Sequence, residues 1–275
     1  MFVEVNGIKI CYNRGGEGQP VFLIHGFGAK KESWVAQFSP LSKHFDVVRM
    51  DNRGAGKSER VEEPYSMETL ADDVKGLMDV LNIEKASVIG WSLGGMIVQN
   101  FALKYPDRVN KVVLINTNYG MPNEQGIVAF KNDRLKKLET LKEDPEKAFW
   151  DGAVLGFHRK FRKEMQQNPQ KMFYDLWSVE GVIEESTIDP PTSNDIENQA
   201  KALETHNTFE RLDNLTMPVL LLSASHDRLT PKSVMDEIHE KLPNSKLVVI
   251  DKAGHNSPQS RAPEVNQAII EFLKE

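Results

Sequence analysis

Cysteine is almost absent from this 275-residue chain. Cys11 stands alone, which excludes an intramolecular disulfide framework and a zinc site built on clustered thiolates. Basic charge is not in excess either. Lys and Arg number 34 against 40 Asp and Glu, a net charge of −6, whereas a nucleic-acid phosphate binder needs a basic surface. No apolar run approaches the roughly 20 residues of a membrane-spanning helix. The N-terminus, Met1-Phe2-Val3-Glu4-Val5-Asn6-Gly7, has an early acid and no basic stretch leading into an apolar one, so it does not read as a signal peptide. Repeats and low-complexity tracts are also missing. The remainder, 40% hydrophobic and 27% charged, is enough for a sizeable core and excludes intrinsic disorder. The expectation is a cytoplasmic α/β protein, monomer or homodimer, with no nucleic-acid or membrane partner.

Short apolar runs alternate with helical patterns. Val21-Phe22-Leu23-Ile24, Val47 to Met50, Ala86 to Ile89, Val112 to Ile115, Val219 to Leu222 and Leu247 to Ile250 are continuous, as strands covered on both faces should be. Amphipathic patterns run from Met67 to Leu81, Leu93 to Tyr105, Pro231 to Leu242 and Pro263 to Leu273, the two prolines suiting a first helical turn. This alternation predicts a mostly parallel sheet flanked by helices. Asn6-Gly7 between two short strand patterns predicts an antiparallel hairpin at the start. The alternation stops between residues 117 and 215, a stretch with helical patterns such as Lys131 to Glu143, a break at Asp189-Pro190-Pro191 and many aromatics. That stretch is expected to be a helical cap, or lid, inserted into a core of residues 1–116 and 216–275.

Four features carry chemistry. Gly90-Trp91-Ser92-Leu93-Gly94-Gly95 follows a strand and opens a helix. A serine nucleophile must project from a tight turn, and flanking glycines leave room for it. His25-Gly26-Phe27-Gly28 follows the strand that ends at Ile24. Acyl transfer needs two backbone N–H donors aimed at the developing oxyanion, and Phe27 and Leu93 are the candidates, with the His25 side chain holding the loop. Gly254-His255 follows the last strand and offers a general base with a pKa ordinarily near 6.5. Ser225-His226-Asp227 follows the strand before it and offers the carboxylate that fixes an imidazole tautomer. Asn116, Thr117 and Asn118, after the strand Val112 to Ile115, offer no rival acid, and Asp251 reads as a solvated or capping residue. Gly56-Lys57-Ser58 is not a phosphate loop, because Asp51 stands where the first glycine is required.

The order Ser92, Asp227, His255 is the Ser…Asp…His order of the α/β-hydrolase fold, and the chain resembles that superfamily along essentially its whole length. Asp51-Asn52-Arg53-Gly54-Ala55-Gly56-Lys57-Ser58 is similar to the D-x-R-G-x-G-x-S loop of such proteins, and Ser33-Trp34 fits the segment after the oxyanion loop. Ala224 departs from the pattern, where many relatives have glycine. Ser92 in place of an aspartate sets the chain apart from haloalkane dehalogenases and epoxide hydrolases. The serine elbow followed by Leu-Gly-Gly is similar to enol-lactonases. The resemblance implies a serine esterase or lactonase that cleaves a small, apolar carboxylic ester or lactone through an acyl-enzyme and needs no cofactor or metal. Phe27, Trp91, Trp150 and Trp177 are the expected substrate-binding residues. C–C bond hydrolysis, perhydrolysis and acyl transfer run on the same triad, and a slow-turnover small-molecule receptor is the alternative of a different class.

Overall fold

The computed structural model describes residues 1–121 and 123–275; Pro122, within the expected cap, lies outside the described residues. Asn6 and Gly7 both take positive φ, 50° and 79°, the combination that twists a two-residue turn to match hairpin strands. They join β1 (Phe2–Val5) to β2 (Ile8–Gly15), antiparallel as expected. β2 then runs antiparallel to β4 (Asp46–Met50). From β4 onward the sheet is parallel, through β3 (Pro20–Ile24), β5 (Ala86–Trp91), β6 (Val109–Ile115), β7 (Val219–Ala224) and β8 (Ser245–Ile250). The order of the eight strands is β1-β2-β4-β3-β5-β6-β7-β8. The chain changes direction across the sheet at β3, and crevices at the carboxyl ends of strands around such a reversal are where open α/β sheets bind ligands.

Alternate residues of each central strand feed two different cores. Phe22, Ile24, Val48, Val88, Val112, Leu114 and Leu221 face one side, where α2 (Met67–Val80), α3 (Leu93–Lys104) and α9 (Lys232–Lys241) pack. Val21, Leu23, Val47, Ile89, Val113, Ile115 and Leu222 face the other, with α1 (Val35–Ser42) and α11 (Ala262–Lys274). A Leu, Ile or Val removed from water this completely contributes about 1.5–3 kcal/mol, and central strands that do so on both faces read as unbroken apolar runs. Leu247 to Ile250 is the exception. β8 is the edge strand, and Val248 and Val249 are 37% and 42% exposed. Its continuous run comes from β-branched propensity at an edge, so the expectation of burial on both faces was wrong there.

Five helices lie between β6 and β7: α4 (Glu124–Glu143), α5 (Pro145–Gly156), α6 (Arg159–Gln167), α7 (Val179–Ser186) and α8 (Ser193–Glu204). Local chemistry starts them. Asn123, Asp144, Ser178 and Thr192 each accept a hydrogen bond from a backbone N–H of the following turn, satisfying donors that a helix N-terminus otherwise leaves unpaired. Phe157, Phe161, Phe173 and Trp177 stack on one another with ring centroids 5.0–6.1 Å apart. Ile127 of α4 and Ala200, Ala202 and Leu203 of α8 instead share the core under α2 and α3, so these helices are anchored on the sheet layer. A short helix, α10 (Ser257–Ser260), leads into α11.

Candidate active site

β5 ends at Trp91 and α3 begins at Leu93, which leaves Ser92 alone in the turn. Its φ of 57° and ψ of −122° cost a non-glycine residue on the order of 1–3 kcal/mol. Surrounding backbone holds the strain in place. Ser92 N–H donates to Ile115 O at 2.9 Å, and Thr117 Oγ1 donates to Ser92 O at 2.7 Å. The flanking glycines are steric necessities: a Cβ on Gly94 would lie 1.9 Å from Ile24 O, and one on Gly90 2.3 Å from Gly94 O. Ser92 therefore stands at the positive end of α3, where unpaired N–H groups favour negative charge.

The loops after β7 and β8 deliver the other two residues. His255 Nδ1 and Asp227 Oδ2 are 2.7 Å apart, with side-chain exposures of 10% and 0%. Asp227 Oδ1 accepts from Leu229 N–H at 2.8 Å and Thr230 N–H at 2.9 Å. An ionised carboxylate only accepts, so Nδ1 carries the proton and Nε2 is left as the acceptor. Ser92 and His255 border the same cavity. The Ser92 hydroxyl makes no hydrogen bond among the described residues, in keeping with nucleophile–base contacts that tighten only when substrate is in place. Asp251 is exposed and pairs with Lys252, and His226 meets His158 edge to face at the surface with ring centroids 4.6 Å apart, so neither competes for these roles.

The loop after β3 places Phe27 across from Ser92. Gly28 N–H donates to Gln199 Oε1 at 2.8 Å and Ala29 N–H to Gly26 O at 3.3 Å, while the Phe27 and Leu93 N–H groups have no acceptor among the described residues. His25 has the loop-holding role expected of it. Its Nδ1 lies 2.9 Å from Gly26 O, and its Nε2 accepts from Asn52 N–H at 3.0 Å. Burial pushes its pKa down and keeps it neutral. The Asp51 to Ser58 loop is structural too. The buried Asp51 carboxylate accepts from Lys31 N–H at 2.7 Å and Lys31 Nζ at 2.9 Å, and Ser58 Oγ links Asp51 O to Cys11 N–H.

One functional residue escaped the sequence reading. Asn116, which the sequence offers only as a residue that is no acid, is fully buried just past the end of β6 with φ 45°. Its Nδ2 donates to His255 O at 2.8 Å and Ser257 Oγ at 2.9 Å, and its Oδ1 accepts from Ala224 N–H at 2.9 Å. It clamps the histidine loop to the strand that carries the acid loop. The signal was an asparagine just past a strand, a residue type that tolerates left-handed backbone.

The cavity at Ser92 has a volume of about 310 Å³ and is bordered by Gly26, Phe27, Trp91, Phe149 and His255. It adjoins a second cavity of about 650 Å³ that includes Phe27, Phe149, Leu176, Trp177 and Ile196. Of the expected substrate-binding residues, Phe27 borders both cavities, Trp91 the first and Trp177 the second. Trp91 Nε1 also donates to His255 O at 3.0 Å. Trp150 is a correction: it borders neither cavity, and its indole lies outside, 3.4 Å from Glu146 Oε1. Helical phase turns Phe149, its edge-to-face neighbour, inward instead.

Sheet order, elbow and strand-end residues define an α/β-hydrolase. The chain belongs to the alpha/beta hydrolase fold family, whose model matches residues 19–258, and it is a hydrolase. It is 27% identical to the 2-hydroxy-6-oxononadienedioate/2-hydroxy-6-oxononatrienedioate hydrolase of Paraburkholderia phymatum, over 97% of this chain and 91% of that protein. The crystal structure of the enol-lactonase from Burkholderia xenovorans LB400 superposes with a TM-score of 0.83 at 25% identity, covering 100% of both chains. A thermophilic esterase from Thermogutta terrifontis gives a TM-score of 0.83 at 27% identity, over 100% of this chain and 98% of that one.

Proposed function

We propose that this hydrolase cleaves a carboxylic ester or lactone of a small substrate through an acyl-enzyme on Ser92, with residues 117–215 acting as a cap over the site. The observation that carries the reading is the His255–Asp227 pair at 2.7 Å bordering one cavity with a serine in a strained elbow. His255 Nε2 takes the proton as Ser92 Oγ attacks the carbonyl carbon. The Phe27 and Leu93 N–H groups receive the oxyanion, where preorganised donors cost no reorganisation during the reaction. Asp227 holds the imidazolium that forms. The tetrahedral intermediate collapses, His255 protonates the leaving alcohol, and the same base then activates water to release the acid. An enol-lactonase and an esterase among the structural relatives support ester or lactone chemistry, and the sequence relative named as a 2-hydroxy-6-oxononadienedioate hydrolase supports C–C bond hydrolysis on the same triad as the second reading.

The test is p-nitrophenyl ester hydrolysis by wild type and Ser92→Ala. Wild type is expected to turn over many times per site, and Ser92→Ala to lose essentially all of that rate. Full activity in Ser92→Ala would refute the acyl-enzyme. A wild type that binds ligand and releases less than one product per site would point to a receptor.

A further inference from the structure

Arg134, on α4, borders both cavities, the one at Ser92 and the larger one beside it. It forms no ion pair and no hydrogen bond among the described residues, and its Nε is closed off from solvent without an acceptor. Its guanidinium lies over the Phe130 ring at 4.6 Å. Phe130 in turn meets Phe27 edge to face at 4.9 Å, so an aromatic bridge fixes the cation relative to the loop opposite Ser92. Most of the other charges around it have partners, although Glu32 Oε2 and Arg49 Nε are also closed off from solvent without one. Asp133 pairs with Lys137 at 2.7 Å, Lys30 with Glu185 at 2.7 Å, and Glu32 with Lys31 at 2.9 Å. Arg49, also on the larger cavity, lies over Phe38 and donates to Lys31 O at 3.3 Å.

A guanidinium cannot shed its proton to escape a low-dielectric site. Burial disfavours its charged form, and the partial compensation comes from Asp133, which is already paired with Lys137. An unpaired charge half-buried in an apolar cavity is costly unless a partner arrives. We propose that Arg134 is the anion-binding residue of this site, and that the substrate carries a carboxylate held by Arg134 while its ester or lactone carbonyl sits at Ser92. This rests on the acyl-enzyme reading above, narrows its small substrate to an anionic one, and replaces the apolar substrate expected from the sequence. A planar fork of donors is suited to a carboxylate, which it can engage through two parallel hydrogen bonds.

The test compares two p-nitrophenyl esters of equal carbon number, valerate and hemiglutarate, which differ in a terminal carboxylate. Wild type is expected to favour the hemiglutarate in kcat/KM. In Arg134→Gln the hemiglutarate-to-valerate ratio is expected to fall about 10- to 100-fold, the range for hydrogen bonds to charged groups. The fall should appear mainly in KM, with partial recovery in Arg134→Lys. A ratio that changes less than twofold in Arg134→Gln overturns the proposal. If wild type hydrolyses neither ester, the acyl-enzyme reading fails by itself, and the anion site is read from binding. Millimolar glutarate should then raise the Tm of wild type and not of Arg134→Gln. An equal rise in both, or none in wild type, overturns the anion site.

Discussion

Asp227→Asn is the sharpest probe of the mechanism, because the hydrogen bonds around this carboxylate dictate how its amide must sit. Oδ1 accepts from two backbone donors, Leu229 N–H and Thr230 N–H, at 2.8 and 2.9 Å. In the variant the amide oxygen has to take that position, since an NH₂ there would face two donors. The NH₂ is then turned toward His255 Nδ1, where Oδ2 stood at 2.7 Å. Two donors cannot share one bond, so the imidazole shifts its proton to Nε2, the atom that must accept from Ser92. The side chains are isosteric and the fold should survive, yet the base is disabled. A wrong-tautomer histidine costs about 10⁴ in kcat, or roughly 5.4 kcal/mol at 1.36 kcal/mol per decade. Stopped-flow measurement of the p-nitrophenol burst reports the acylation step directly, and a Tm within a few degrees of wild type confirms folding. Asp251→Asn, at an exposed carboxylate already paired with Lys252, should keep the wild-type rate. An Asp227→Asn enzyme that retains more than about a tenth of the wild-type burst rate would refute the tautomer argument, since a wrong-tautomer histidine is expected to cost about four decades.

Three further outcomes follow from the same geometry. Asn116→Ala removes the clamp on His255 O and leaves the buried Ala224 N–H without its acceptor, which costs about 1–3 kcal/mol; displacement of the base should lower kcat about 10²-fold, and steady-state kinetics should show the loss in kcat more than in KM. Gly94→Ala drives a methyl to within 1.9 Å of a backbone oxygen, so thermal denaturation should show destabilisation of about 3 kcal/mol or more, and an unchanged Tm would contradict the packing of the elbow. His206, buried between Asn100 Nδ2 and Asn118 O, has its pKa pushed down from 6.5 to about 4, chiefly by burial. Between those values the unfolded chain binds a proton that the native one refuses, so stability is fully present above about pH 6.5 and is lost as pH falls toward 4, by roughly 3 kcal/mol from this residue. Urea melts across that window should be flatter for His206→Gln than for wild type.

What the amino-acid sequence discloses about this site divides along a physical line. Ser92, Asp227, His255, Phe27 and Leu93 all sit within a few residues of the end of a strand and follow an apolar run, with glycine close by in every case except Asp227, where Ala224 takes its place. The parallel sheet does the rest, because its register brings every such strand end to one edge. Gly90 pairs with Leu114, which pairs with Leu221, and Leu222 with Val248, so residues more than 130 positions apart in sequence converge without any long-range signal being needed. The helices between β6 and β7 obey no such rule. Which of their side chains meets the cavity is set by helix phase and by packing on Phe157, Phe161 and Trp177, and a one-residue step decides it: Phe149 turns in and Trp150 turns out. The same step hides Arg134 from inspection of the sequence, where it is one cation among many on a Lys- and Glu-rich helix. Lys137 also borders both cavities but has an i,i+4 partner in Asp133 on its own helix, and only the docking of α4 shows that Arg134 faces the cavities with no ion pair among the described residues. On the proposed reading, the carbonyl chemistry is written at strand ends and substrate selection in tertiary contacts of α4, α5 and α7 around the cavities, the division by which one fold hosts many activities.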